Sequence, residues 1–219
     1  MAAGNAAGPD KSAFTGVNGR PEHFPCSAAA GILGIMAPSE IQRVLVSRRR
    51  IARRVQALAG EIAAGYRGRE LVIVPLLTGS IIFLADLMRC LPLRMRVDVL
   101  AVSSYAGKLT RNRQPRILYP EKLHVTGKHV LIVDDILDSG QTLAAVRAIL
   151  QRQRAASVRA CVLLRKHTAL RLGMRADFIG FDIPDEFVVG YGMDYNHFYR
   201  NLPEIAVLHP SIVTPGRDR

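Results

Sequence analysis

Three carboxylates fall close together, at Asp134, Asp135 and Asp138, and a run of hydrogen-bond donors follows them at Ser139, Gly140, Gln141 and Thr142. Before the acids, His129-Val130-Leu131-Ile132-Val133 reads as a buried strand, and after them Thr142 to Arg152 reads as a helix. In open parallel sheets, ligands bind at the carboxyl ends of strands, which is where this pair of acids lies. Two adjacent acids there are costly unless hydrogen-bond donors or a cation compensate them. Sugar hydroxyls are such donors. Backbone N–H groups at the start of a helix point toward anions, and Gly140 lets a phosphate approach closely. The Ser139 and Thr142 hydroxyls add further donors. Asp138 is placed either to move a proton on a ring nitrogen or to cap the helix, and spacing leaves both roles open. The G-x-x-x-x-G-K-[ST] loop is absent. The pattern describes a sugar-phosphate site and leaves the acceptor undefined.

These residues need a scaffold, and apolar strands alternate with helical segments along the chain. Glu70 to Leu77 is a continuous apolar run ending in Thr78-Gly79, and Ser80 to Leu91 reads as a helix. Val97 to Ser103 and Lys128 to Asp134 read as strands. Ser157 to Leu164 is another, followed by short ones at Phe178 to Phe181 and Val207-Leu208. The expected fold is α/β, a mostly parallel twisted sheet covered by helices on both faces. Upstream, Ser39 with Gln42 reads as a capping box. Ile41, Val44, Leu45, Ile51, Val55, Leu58 and Ile62 recur at three- and four-residue steps, predicting one long helix with a single apolar face. Arginines 48, 49, 50, 53 and 54 lie mostly off that face and read as a solvated basic surface. Residues 1–35, rich in Gly, Ala and Pro, read as a disordered extension, and the structured domain is expected over 36–212 with a tail at 213–219. From Gly107 to His124 five basic residues face the single acid Glu121, as in a functional loop or lid.

Composition sets outer limits. The chain has 219 residues, 49% hydrophobic and 22% charged, which suits a globular domain. Its formal net charge of +12 suggests acidic ligands, among them nucleic acid, a membrane surface or a polyphosphate. The odd count of three cysteines, Cys26, Cys90 and Cys161, argues against a disulfide framework or structural zinc site. No apolar run reaches the roughly 18 residues of a membrane span, and no secretory leader is evident. The reading is a cytoplasmic protein with no membrane partner.

VLIVDDILDSGQTL, from Val130 to Leu143, resembles the phosphoribosyl pyrophosphate signature of the type I phosphoribosyltransferases. DFIGFDIPDEFVVGYGMDYN, from Asp177 to Asn196, is similar to the base-binding region of the hypoxanthine-guanine members. The resemblance runs from about Ser39 to Leu208. It implies the type I fold, with a small hood built from N- and C-terminal segments, and Mg2+-dependent transfer of a phosphoribosyl group to a 6-oxopurine. The implied partners are a purine base and phosphoribosyl pyrophosphate, and the implied assembly is a homodimer or homotetramer. An RNA-binding nucleotide sensor on the same fold is the alternative; its only support is the net charge, and nucleic acid is not the expected partner.

The resemblance also carries roles to individual residues. Asp138 would accept the purine proton. Asp134, Asp135, Ser139, Gly140, Gln141 and Thr142 would hold the ribose phosphate, with Leu77, Thr78, Gly79 and Arg200 on the pyrophosphate. Lys166 would donate to the 6-oxo group, Phe187 would stack on the ring, and the Val188 backbone would meet its edge. Asp194, beside the purine, would join Asp134 and Asp135 in binding magnesium. The peptide before Thr78 would be cis. Ser104-Tyr105 would open a mobile lid. Two features depart from the family: Thr78 stands where many members carry Lys, and an arginine-rich stretch at 107–113 replaces a Gly- and Ser-rich lid. Arg111 and Arg113 are expected to serve the pyrophosphate in place of the missing lysine.

Overall fold

Alternation decides which side chains reach which face of the central sheet. The computed structural model describes residues 40–103, 116–118 and 123–213. In β2 (Leu71–Leu77) and β6 (His129–Leu137), Leu71, Ile73, Leu131 and Val133 face one apolar cluster, while Val72, Val74, Val130 and Ile132 face another. This is the period of two expected of strands buried on both faces. The first cluster is covered by α1 (Arg48–Gly65) and α2 (Ile81–Cys90). The second is covered by α3 (Gln141–Arg152) and the short α4 (His167–Arg171). The remaining strands of this sheet are β3 (Met95–Val97), β4 (Leu100–Ser103), β5 (Arg116–Leu118), β7 (Ser157–Lys166) and β8 (Phe178–Ile183). Their order is β5-β4-β2-β6-β7-β8, with β3 also on β2, and every pairing but β4–β5 is parallel. The expected α/β sheet with helices on both faces is present.

A second, antiparallel sheet joins β1 (Ile41–Val46), β10 (Ile205–Leu208) and β9 (Val188–Val189) in the order β1-β10-β9. It is built from N- and C-terminal segments, as the resemblance implied. It also corrects the long helix expected from residue 39 onward. Ile41 to Val46 is extended and pairs with the fully buried β10, from Ile41 opposite Leu208 to Val46 opposite Ile205. The helix begins only at Arg48, after Ser47 at φ −71°, ψ 154°. Gln42 therefore lies in a strand and closes no capping box. The three- and four-residue spacing from Ile41 to Ile51 spans two elements, and β-branched residues beside a free strand edge favour the ladder over local periodicity. Within α1 the expected apolar face is correct: Ile51, Val55, Leu58 and Ile62 are buried. Arginines 48, 49, 50 and 53 are exposed, and Arg54 donates to the Ile179 and Gly180 carbonyls at 2.6 and 3.0 Å.

Two smaller corrections follow from local geometry. The strand expected over 97–103 is two, β3 ending at Val97 and β4 beginning at Leu100; between them the Asp98 N–H donates to the Ile73 carbonyl at 2.9 Å. β6 does not end at Asp134 but continues through both acids to Leu137, paired with β7 as far as Arg165. The extension over 1–35, the tail from 214, Ser104, Tyr105, Arg111 and Arg113 lie outside the described residues. Among the described residues no helix is long and apolar enough to cross a membrane.

Candidate active site

Asp134 is the one charged side chain buried among the described residues, at 9% exposure. Its place in the β6–β7 ladder, opposite Val162, fixes the backbone so that the carboxyl meets the cleft at the end of the strand. Asp134 Oδ1 accepts the Asp135 N–H at 3.1 Å, and Asp135 Oδ1 accepts the Ile136 N–H at 3.0 Å. No cation reaches either carboxylate as an ion pair within the described residues. Burial first, and then the neighbouring Asp135, push the Asp134 carboxyl well above its ordinary range. Burial also raises Asp135, partly offset by hydrogen bonds and by Arg200. The pair is thus a store of poorly compensated negative charge that a ligand can relieve.

The acids border an open cleft of about 430 Å³. From the sheet side come Leu76, Leu77, Thr78 and Gly79, where β2 ends, and the Leu77–Thr78 peptide is cis as the resemblance implied. A Cβ at Gly79 would lie 1.8 Å from Asp135 Oδ2, so a larger residue there would displace the Asp135 carboxyl. The loop Asp138-Ser139-Gly140 follows β6, and Gly140, at φ +74°, turns the chain into α3. Thr142 and Leu143 also line the cleft, but Gln141 does not; its side chain is exposed on the first turn of α3.

The opposite wall comes from segments far along the chain. Lys166, the last residue of β7, places its Nζ 3.0 Å from Asp138 Oδ2. Phe187 is 43% exposed, an unusual state for so large an apolar ring, and meets Tyr195 edge-on with centroids 5.4 Å apart. Val188 stands beside it in β9. Asp194 and Arg200 form an ion pair at 2.6 Å. Asp194 also accepts the His197 N–H at 2.9 Å, and Arg200 donates to the Gly192 carbonyl at 2.7 Å. Gly192, at φ +102°, packs on the Gly79 carbonyl, where a Cβ would be 2.2 Å away, so the two walls touch at these glycines.

Every site residue read from the sequence that lies among the described residues borders this cleft, with Gln141 as the exception. Met193, Leu76, Ile136 and Leu137 also border it and carried no chemical signal in the sequence. Tyr191 went unread too: its hydroxyl donates to Asp86 Oδ2 at 2.6 Å and ties the 190–200 segment to α2. Among the described residues no three His, Cys, Asp or Glu side chains converge as a metal cage. A hard divalent cation still suits the acids, because magnesium is commonly held by one or two carboxylates completed by water and substrate phosphate oxygens. The uncompensated Asp134–Asp135 pair supplies such a partial set.

The phosphoribosyl transferase domain model matches residues 44–196. The hypoxanthine-guanine phosphoribosyltransferase of Bacillus subtilis is 35% identical over 177 residues, covering 81% of this chain and 98% of that protein. The bifunctional protein TilS/HprT of Listeria innocua is 37% identical over 174 residues, and there the match spans only 27% of the relative's length. Among solved structures, a hypoxanthine-guanine phosphoribosyltransferase from Bacillus anthracis aligns with a TM-score of 0.70 at 35% identity, over 78% of this chain and 99% of that one. A hypoxanthine phosphoribosyltransferase from Staphylococcus aureus aligns with a TM-score of 0.74 at 34% identity, over 80% and 95%.

Proposed function

We propose a reaction for this cleft from the premise that the chain belongs to the phosphoribosyl transferase family and, within it, to the hypoxanthine-guanine phosphoribosyltransferases. It is accordingly a pentosyltransferase of purine salvage. The proposed substrates are phosphoribosyl pyrophosphate and hypoxanthine or guanine, with xanthine a further candidate. The products are the nucleoside 5′-monophosphate and pyrophosphate. The observation that carries this reading is the meeting, in one cleft, of the acid pair, the Asp138–Gly140 loop, the Lys166–Asp138 ion pair and an exposed Phe187.

In the reaction the ribose C1–oxygen bond to pyrophosphate breaks, a C1–nitrogen bond to the purine forms, and the nitrogen loses its proton. Such transfers at a sugar carbon pass through an oxocarbenium-like state. Asp134 and Asp135 anchor the ribose hydroxyls, directly or through bound water. The N–H groups that open α3, with the Ser139 and Thr142 hydroxyls, hold the 5′-phosphate. The backbone at Thr78-Gly79 and the Arg200 guanidinium take the pyrophosphate, for which Arg200 turns away from Asp194. Asp134 and Asp135 would hold magnesium, which would supply positive charge against the pyrophosphate; Asp194, paired with Arg200, would join them only once Arg200 has turned to the pyrophosphate.

Lys166 donates to the purine 6-oxo oxygen, a contact that a 6-amino group cannot accept. Phe187 stacks on the ring, and the Val188 backbone meets its edge. Asp138 accepts the purine proton, and the Lys166 ammonium, 3.0 Å from its Oδ2, orients the carboxylate beside the base. The same proposal includes a homodimer or homotetramer, supported by the usual assembly of the family. It also includes a cytoplasmic location, supported by the free thiols of Cys90 and Cys161. Asp138→Asn tests the assignment, with an expected loss of turnover of about 10²–10⁴-fold and little change in either KM. Wild-type turnover in that variant would overturn it.

A further inference from the structure

The two side chains assigned to the purine stand at the ends of different segments. Lys166 closes β7, and Phe187 follows the end of β8. The parallel ladder holds these strands together up to its last register pair, Lys166 opposite Ile183. Beyond that pair the segments diverge. One becomes α4, and the other turns through Pro184 to Glu186, where the Glu186 N–H donates to the Pro184 carbonyl at 2.8 Å. A helix of five residues has too few internal bonds to fix its own first turn. Phe187, nearly half exposed, is not fixed by core packing either.

Asp185 bridges this gap. Its Oδ1 accepts the Thr168 N–H at 2.7 Å, and its Oδ2 accepts from Arg171 Nη2 at 2.5 Å. Thr168 lies two residues beyond Lys166, and Asp185 two residues before Phe187. One carboxylate therefore fastens the chain just past the first purine contact to the chain just ahead of the second. Thr168 first, and then Arg171, hold its carboxyl down at about 2, so the tether stays charged at neutral pH. The flanks are held as well. Arg165 grips Asp182 at 2.6 and 3.1 Å, and Arg43 Nη2 reaches both Glu186 oxygens at 2.6 and 2.5 Å.

We propose that Asp185 is a positioning residue for the purine: it sets the separation of Lys166 and Phe187, and so the width of the slot that a flat 6-oxopurine enters. The proposal rests on reading those two residues as purine contacts. Asp185 touches neither substrate nor reacting atoms. Its effect falls on recognition of the base, and the phosphoribosyl pyrophosphate end, held by β6, α3 and Arg200, is untouched.

Steady-state kinetics of full-length Asp185→Ala and Asp185→Asn, each against both substrates, provide the test. Asp185→Ala removes both tethers and raises the hypoxanthine KM about tenfold, with kcat and the phosphoribosyl pyrophosphate KM changing less than about twofold. Asp185→Asn keeps an acceptor for Thr168, loses the charge facing Arg171, and falls between Asp185→Ala and wild type. Asp185→Asn alone decides the matter if the Ala variant does not fold. An unchanged hypoxanthine KM, or an equal rise in both KM values, overturns the proposal. Lys166→Met and Phe187→Ala are measured in parallel. If they raise the hypoxanthine KM and the Asp185 variants do not, the tether fails and the site reading stands. If neither raises it, the site reading itself is lost.

Discussion

Removing one charge from the acid pair should make the free protein more stable while it destroys activity. Asp134 is buried, its carboxylate has no cation partner among the described residues, and its neighbour on the chain is another acid. Asp134→Asn keeps the oxygen that accepts the Asp135 N–H and deletes the charge. A buried polar group left without a partner costs about 1–3 kcal/mol, so the Asn variant is expected to gain about 1 kcal/mol at neutral pH, or roughly 2–4 °C in Tm for a domain of this size. The sign with pH is fixed by linkage. An unfolded Asp titrates near about 3.9, whereas the folded Asp134 titrates higher, so between those values the native state holds the extra proton. Wild-type stability then falls as pH rises through that window, and the full cost is present above it. The variant shows a flatter profile. Thermal unfolding of both proteins without ligands, from pH 5 to 9, measures this. An Asn variant less stable than wild type at pH 8 would refute the reasoning, because the charge would then be compensated in the free protein. Added magnesium and pyrophosphate should reverse the ranking by stabilising wild type alone.

Three further outcomes are expected. Gly79→Ala places a methyl group where Asp135 Oδ2 now lies, and kcat/KM should drop by at least about 10²-fold through displacement of the acid pair, measured against phosphoribosyl pyrophosphate. Phe187→Ala removes the stacking face and should raise the purine KM by about tenfold or more without altering Tm, since the exposed ring contributes little to the core. Tyr191→Phe breaks the bond to Asp86, while Asp86 retains its pairing with Arg89; a Tm decrease of about 2–4 °C is expected from a loss near 1 kcal/mol, read by calorimetry.

The parts of this site that were legible in the sequence are local ones. Strand, acids, turn and helix lie within Val130 to Leu143, so their order in the chain is their order in space. The continuous apolar runs of β2 and β6 announced strands buried on both faces. Placement of Lys166, Phe187, Asp194 and Arg200 came from resemblance, because no local pattern shows that residues so far downstream return to the same cleft. β1 reads as helix in the sequence because its apolar residues continue the helical spacing of α1, and only its pairing with the distant β10 decides between strand and helix. Tyr191 and Asp185 are silent in the sequence for a related reason. Each acts through one long-range hydrogen bond or ion pair, and such partners leave no trace in spacing. Thr78 is exposed at the cleft beside the cis peptide and brings a hydroxyl, not an ammonium, to this wall.

The reaction proposed for this cleft joins a 6-oxopurine to the ribose of phosphoribosyl pyrophosphate. Its most direct test is pyrophosphate release by the full-length protein with phosphoribosyl pyrophosphate and magnesium, supplied in turn with hypoxanthine, guanine, xanthine and adenine. Release is expected with hypoxanthine or guanine, none with adenine, and the signal is lost in Asp138→Asn. Release with adenine alone, or with none of the four bases, would contradict it.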